Sequence, residues 1–194
     1  MALAGAGALA QESADSGVAA GAVSIRKIPT LNSVKQKTPQ TFNAGVAPSR
    51  SKEWGVFDVE FDVKAPWVDD LSVSFFVMTQ NPKDPNKQPF SFYQLTSRYR
   101  DVEKGQRKVS AVLTPAALAR FGNVVGLAVE ISAGGKVLDS KSVESPELVK
   151  YTKWWHNKDV TDGQVTVKRS GYLVERSKTP FGLVGYDDYE AEIQ

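Results

Sequence analysis

The chain has 194 residues, 41% of them hydrophobic and 24% charged, with a formal net charge of +2. That is enough chain for one domain with a substantial core, and too little charge to point to nucleic acid or an anionic membrane. It contains no cysteine and a single histidine, His156, which rules out disulfides, thiolate nucleophiles, cysteine-ligated metals and multi-histidine metal sites.

Residues 1–17 read MALAGAGALAQESADSG, small and apolar as far as Ala10 and polar thereafter. Ala8-Leu9-Ala10 before Gln11 has the small-x-small form of a signal-peptidase site, but the basic stretch and longer apolar core of a full export signal are missing. Residues 1–21 are therefore read as an export-signal remnant or a flexible leader. No other stretch is apolar enough to span a bilayer as a helix.

Residues 22–194 are expected to form one domain, with an appended segment from about residue 145. Residues 23–28 read as a short strand ended by Pro29, which cannot donate to a ladder. Residues 30–51, rich in Ser, Thr, Asn and Pro, read as an irregular surface segment with one edge strand near Phe42.

The centre of the pattern follows. In residues 52–64, Phe57, Val59, Phe61 and Val63 alternate with Asp58, Glu60, Asp62 and Lys64, which gives a strand one apolar and one charged face. In residues 71–79, Leu71, Val73, Phe75 and Val77 fall in register, while Phe76 and Met78 put apolar groups on the opposite face. Pro66, Asp69 and Asp70 mark a turn between the two strands, with Trp67 expected to fold back over the end of the core.

Residues 81–89, with three prolines and two asparagines, are a loop. Strands are expected at 90–102 and 107–113. A two-turn helix should run from Thr114 as cap, through Pro115, to Gly122 as its close. Residues 123–133 are a strongly apolar strand, joined at Gly134-Gly135 to a partner at 136–143. The order fits an antiparallel β-sandwich of immunoglobulin type, mainly β, with one or two short helices. Beyond it, Ser145-Pro146 opens a helix running toward Tyr151 or Trp154, residues 159–163 are turn-like, and residues 165–167 and 172–175 flank Ser170-Gly171 as a C-terminal hairpin extension.

Trp154-Trp155-His156-Asn157 is the most distinctive cluster. Aromatic faces beside a hydrogen-bonding group can stack on sugar rings, so Trp154, Trp155 and His156 are the candidate ligand-binding residues of a carbohydrate-binding module. Two adjacent indoles diverge in an extended chain and lie roughly 100° apart in a helix, which favours one of them packing inward instead. A catalytic His156 would need a positioned nucleophile, and none is nominated, so no catalytic residue is assigned. The acidic run of Asp187, Asp188, Glu190 and Glu192 lacks the glycine and spacing of a calcium loop; it is read as solvated or as a salt-bridge partner. Arg98 and Arg100, on one strand face, could grip a carboxylate or guard an edge. The pattern calls for no metal and no cofactor.

Residues 52–79, and the run RSKTPFGLV at 176–184 with Asp187-Asp188-Tyr189-Glu190, carry a resemblance. Together with Trp54 and Trp154-Trp155, they resemble the immunoglobulin-like proteins encoded beside type IV pilus-type genes in mucin-dwelling gut Verrucomicrobia, over most of residues 22–194. The resemblance implies an exported protein of the outer membrane, periplasm or cell surface, with a sandwich fold and a non-catalytic role in pilus-associated assembly or surface contact. Its partners would then be envelope or pilus-associated proteins; under the carbohydrate alternative they would be host glycans. These stretches are not catalytic motifs, so no functional residue carries over. The incomplete signal segment departs from the expected exported form and leaves the export route open.

Overall fold

A computed structural model describes residues 18–19, 21–39, 52–185, 188–190 and 193. The leader at 1–17, the candidate edge strand near Phe42, and Asp187 and Glu192 lie outside the described residues. Among the described residues eight strands appear in the order β1 (Val23–Lys27), β2 (Lys35–Lys37), β3 (Glu53–Gln80), β4 (Phe90–Leu113), β5 (Asn123–Ala133), β6 (Lys136–Glu144), β7 (Thr166–Lys168) and β8 (Leu173–Glu175). Three short helices accompany them: α1 (Pro115–Phe121), α2 (Pro146–Val149) and α3 (Lys158–Thr161).

Four of the expected strands are in fact the halves of two. β3 runs 28 residues and stays paired with β4 from Gly55 opposite Leu113 to Gln80 opposite Phe90. The expected turn at residues 65–70 does not form. Val63 lies opposite Gly105 and Trp67 opposite Glu103, so Lys64, Ala65 and Pro66 stand against Lys104 alone. Such a bulge bends a ribbon without ending it, and Pro66 sits where a missing N–H costs the ladder nothing.

The bent ribbon folds the sheet on itself. One layer holds β1, β2, the first half of β3, the second half of β4, and β8; the other holds β6, β5, the second half of β3, the first half of β4, and β7. Phe57, Val59, Phe61 and Val63 from the first layer share one buried cluster with Val73, Phe75, Val77, Val129 and Ile131 from the second. Each buried aliphatic or aromatic side chain there contributes about 1.5–3 kcal/mol. The result is a mainly β, immunoglobulin-like sandwich, antiparallel except where β7 joins β4 in parallel.

α1 carries the chain from the first layer to the second over the expected residues. The Thr114 hydroxyl makes no capping hydrogen bond, however, and Gly122 leaves the helix at φ +85°, ψ −154°, outside the left-handed helical region. The C-terminal segment departs from expectation. Its helix stops after Val149, and a second helix occupies residues read as a turn. The two strands of the expected hairpin exist, but each pairs with β4: β7 with Phe90–Phe92 and β8 with Ala111–Leu113. Residues 145–184 thereby cover both outer faces. Leu148, Trp154, Trp155 and Val160 close over Phe76, Met78, Phe92 and Ala128, and Phe181 closes over Val56 and Val112.

Tyr93 of β4 is enclosed in the core, its hydroxyl 3.3 Å from Thr79 Oγ1. Burial raises its phenol above the ordinary value of 10.0. The folded chain then holds this proton more tightly than the unfolded chain, so the stability linked to it is full below about pH 10 and is lost as pH climbs through the raised value. Urea melts between pH 9 and 11 should show stability falling with pH, and Tyr93→Phe should flatten that slope; equal slopes would refute the assignment.

Candidate functional site

Two places bring polar chemistry together with aromatic side chains. The first is built on Glu130. Val129 and Ile131 of β5 point into the core, so period-two alternation turns Glu130 to the outer face, yet only 6% of it is exposed. The cover comes from a 3-10 turn at Trp154–His156, entered through Lys153 in a left-handed conformation and left through Asn157, whose side chain accepts from the Asp159 N–H and caps α3.

The turn sets three polar contacts on one carboxylate. Trp155 Nε1 donates to Glu130 Oε1 at 3.0 Å, and His156 Nε2 lies 2.9 Å from Oε1 and 3.0 Å from Oε2. An ionised carboxylate only accepts, which places a hydrogen on Nε2. His156 also stands edge-on to Phe76 at 5.6 Å, with 52% of its side chain exposed. No serine or threonine hydroxyl is hydrogen-bonded to it among the described residues, so this is the carboxylate–imidazole part of a triad without a nucleophile.

The structure brings the sequence-predicted residues Trp154, Trp155 and His156 together, but not as a platform. Trp154 is fully buried and Trp155 nearly so. Their rings meet at 84° and 5.9 Å, so they share no plane on which a sugar could stack. Glu130 is the member that sequence reading missed. Its local pattern is that of any outward strand residue, and its partner lies 25 residues away.

The contacts also rank the group energetically. Glu130→Ala would leave the Trp155 indole N–H buried without an acceptor, at a cost of about 1–3 kcal/mol. His156→Ala should cost about 1 kcal/mol or less, because a hydrogen bond made by a half-exposed side chain contributes no more than about that. Urea unfolding of both variants checks this order, which would be overturned by a larger loss at His156.

The second place is the end of the sandwich where β3 bends. A cleft of about 780 Å³ opens there, lined by Lys64, Ala65, Trp67, Asp69, Asp70 and Gly134 among others. Trp67 does not fold over the core as expected: it is 55% exposed, and Val68 is the residue buried in its stead. The bulge shifts which side chain faces inward. Asp70 makes an exposed pair with Arg100 at 3.8 Å, which accounts for one of the two strand arginines. Among the described residues no group of three His, Asp or Glu side chains could hold a metal, and no helix is long and apolar enough to cross a membrane.

In comparison with known proteins, a protein-family model matches residues 17–194. No curated protein matches. Among solved structures, the crystal structure of a protein from Akkermansia muciniphila aligns with a TM-score of 0.68 at 22% identity. The alignment covers 89% of this chain and 93% of that one. At that identity the likeness establishes the shared fold.

Proposed function

We propose, from the premise that this chain belongs to the matched family, the immunoglobulin-like proteins of mucin-dwelling gut Verrucomicrobia that its sequence resembles, that it is a non-catalytic exported interaction protein. It works at the periplasm, outer membrane or cell surface, as an assembly or contact component of a pilus-like system. The observation that carries this reading is the bend-end surface, where Trp67 stands exposed at the mouth of a cleft. An uncovered tryptophan on a rigid strand is the kind of side chain that protein interfaces bury at their centres. The aromatic-platform alternative has no open ring face at Trp154 or Trp155 to recommend it.

Fractionation of cells expressing the full-length gene tests export, with recovery in the envelope or medium expected; recovery in the cytoplasm would remove the proposal. Crosslinking in intact cells then tests the surface. A pilus or envelope protein should be captured by the wild type and lost in Trp67→Ala, while equal capture by both would dismiss the bend-end surface.

A further inference from the structure

β4 is the outermost long strand of both layers on one side of the sandwich. β7 covers its outer edge only at Phe90–Phe92, and β8 only at Ala111–Leu113. Between them that edge meets the C-terminal residues Glu190 and Ile193. The Glu190 N–H donates to the Lys108 carbonyl and the Ile193 N–H to the Arg98 carbonyl, each at 2.9 Å. Lys108 belongs to the first layer and Arg98 to the second, so Glu190 and Ile193 touch both layers along this side.

The side chains make this more than edge cover. The Tyr189 ring meets two cations, with the Arg176 guanidinium 3.7 Å and the Lys108 ammonium 4.4 Å from its centroid. Its hydroxyl donates to Asp58 Oδ1 at 3.1 Å, and the neighbouring Glu190 carboxylate meets Arg107 at 3.3 Å. Asp58, Arg107, Lys108 and Arg176 all belong to the body of the sandwich, and Arg176 is only 8% exposed. They form a socket that accepts a flat aromatic ring with a hydrogen-bond donor at its tip and a carboxylate beside it.

On the body side the link to Tyr189 starts at Leu183 and Val184, 77% and 39% exposed. Arg176 also donates to the Val184 carbonyl, which fixes the start of the link. Every contact of Tyr189, Glu190 and Ile193 could be made by the same residues of another molecule without loss. Exchange of an identical element between copies then costs only association entropy, and less where the copies are held together.

We propose that this socket is an exchange site between copies of the chain, in which Tyr189 and Glu190 of one molecule dock against Asp58, Arg107, Lys108 and Arg176 of the next. The partner is a second copy, and its recognition element is the tyrosine–glutamate pair. The inference does not depend on the cellular role proposed above.

The absence of cysteine makes the test clean. Gln106 and Asp188 line one small cavity beside the socket, so Gln106→Cys and Asp188→Cys place two thiols within reach of a short bismaleimide. The two single variants are mixed in denaturant, refolded together and treated with the reagent. A covalent heterodimer is expected, its yield rising with protein concentration and lost when Tyr189→Ala is added to the Asp188→Cys chain. The double variant, crosslinked within one chain, reports docking of the segment in cis. Internal crosslinking without heterodimer at any concentration would overturn the exchange, and failure of both reactions would overturn the socket itself.

Discussion

Replacing Trp154 with alanine is expected to lower the unfolding free energy by about 3 kcal/mol, near the bottom of the range for a buried tryptophan. The indole is fully buried, edge-on to Phe92 at 6.3 Å and to Trp155 at 5.9 Å. It also rests on bare backbone: a Cβ at Gly126 would come within 2.9 Å of the indole and 2.7 Å of Leu148 Cδ1. With contact this close, α2 and the 3-10 turn have little room to collapse into the space that truncation leaves. One term works the other way. Trp154 Nε1 is buried without a hydrogen-bond partner, and deleting it returns part of the roughly 1–3 kcal/mol that such a group costs. Urea unfolding at neutral pH reads the sum. A loss below about 1 kcal/mol would mean that residues 145–161 cover the second layer without being part of its cooperative core.

Trp154 also marks the boundary between what the sequence carried locally and what it did not. The alternation from Phe57 to Val63 and from Leu71 to Val77 is a local signal, and it located the core before any partner was known. The Thr114-Pro115 start and Gly122 end of α1 are local in the same way. Pairing partners are not. Three-residue strands such as β7 and β8 hold no information about register, and the Ser170-Gly171 dipeptide between them argues for a hairpin. What selects their partner is the unfilled edge of β4, more than fifty residues away in sequence. The bend in β3 misled for a related reason. Pro66, Asp69 and Asp70 are turn residues in isolation, but a ladder with Glu103, Val102 and Arg100 waiting on the other side confines the irregularity to a bulge at Pro66 and keeps Asp69 and Asp70 within one strand. Glu130 and Tyr189 were illegible as partners because each meets residues brought close only by the finished fold.

Gly122→Ala should be as damaging as loss of Trp154, although it adds one carbon instead of removing nine heavy atoms. Gly122 closes α1 with φ +85° and ψ −154°, a region of backbone space that is essentially glycine's alone; holding alanine there costs about 1–3 kcal/mol. The added Cβ would lie 2.0 Å from the Gln80 carbonyl oxygen, 2.7 Å from its carbon and 3.0 Å from Asn81 Cα. All three are backbone atoms, so no rotamer change relieves the contact, and overpacking adds about 1–3 kcal/mol more. The strain falls on a particular joint. Gln80 is the last rung between β3 and β5, opposite Asn123, and Asn81 Nδ2 donates to the Arg120 carbonyl at 3.1 Å, tying the end of β3 to the helix that leads into β5. Relief must come from parting that rung. Hydrogen exchange should therefore show protection lost first at the start of β5, around Val124 and Val125, while the amides near Glu130 keep theirs until global unfolding. Uniform loss of protection along β5 would place the damage in the sandwich as a whole instead of at the joint between its layers.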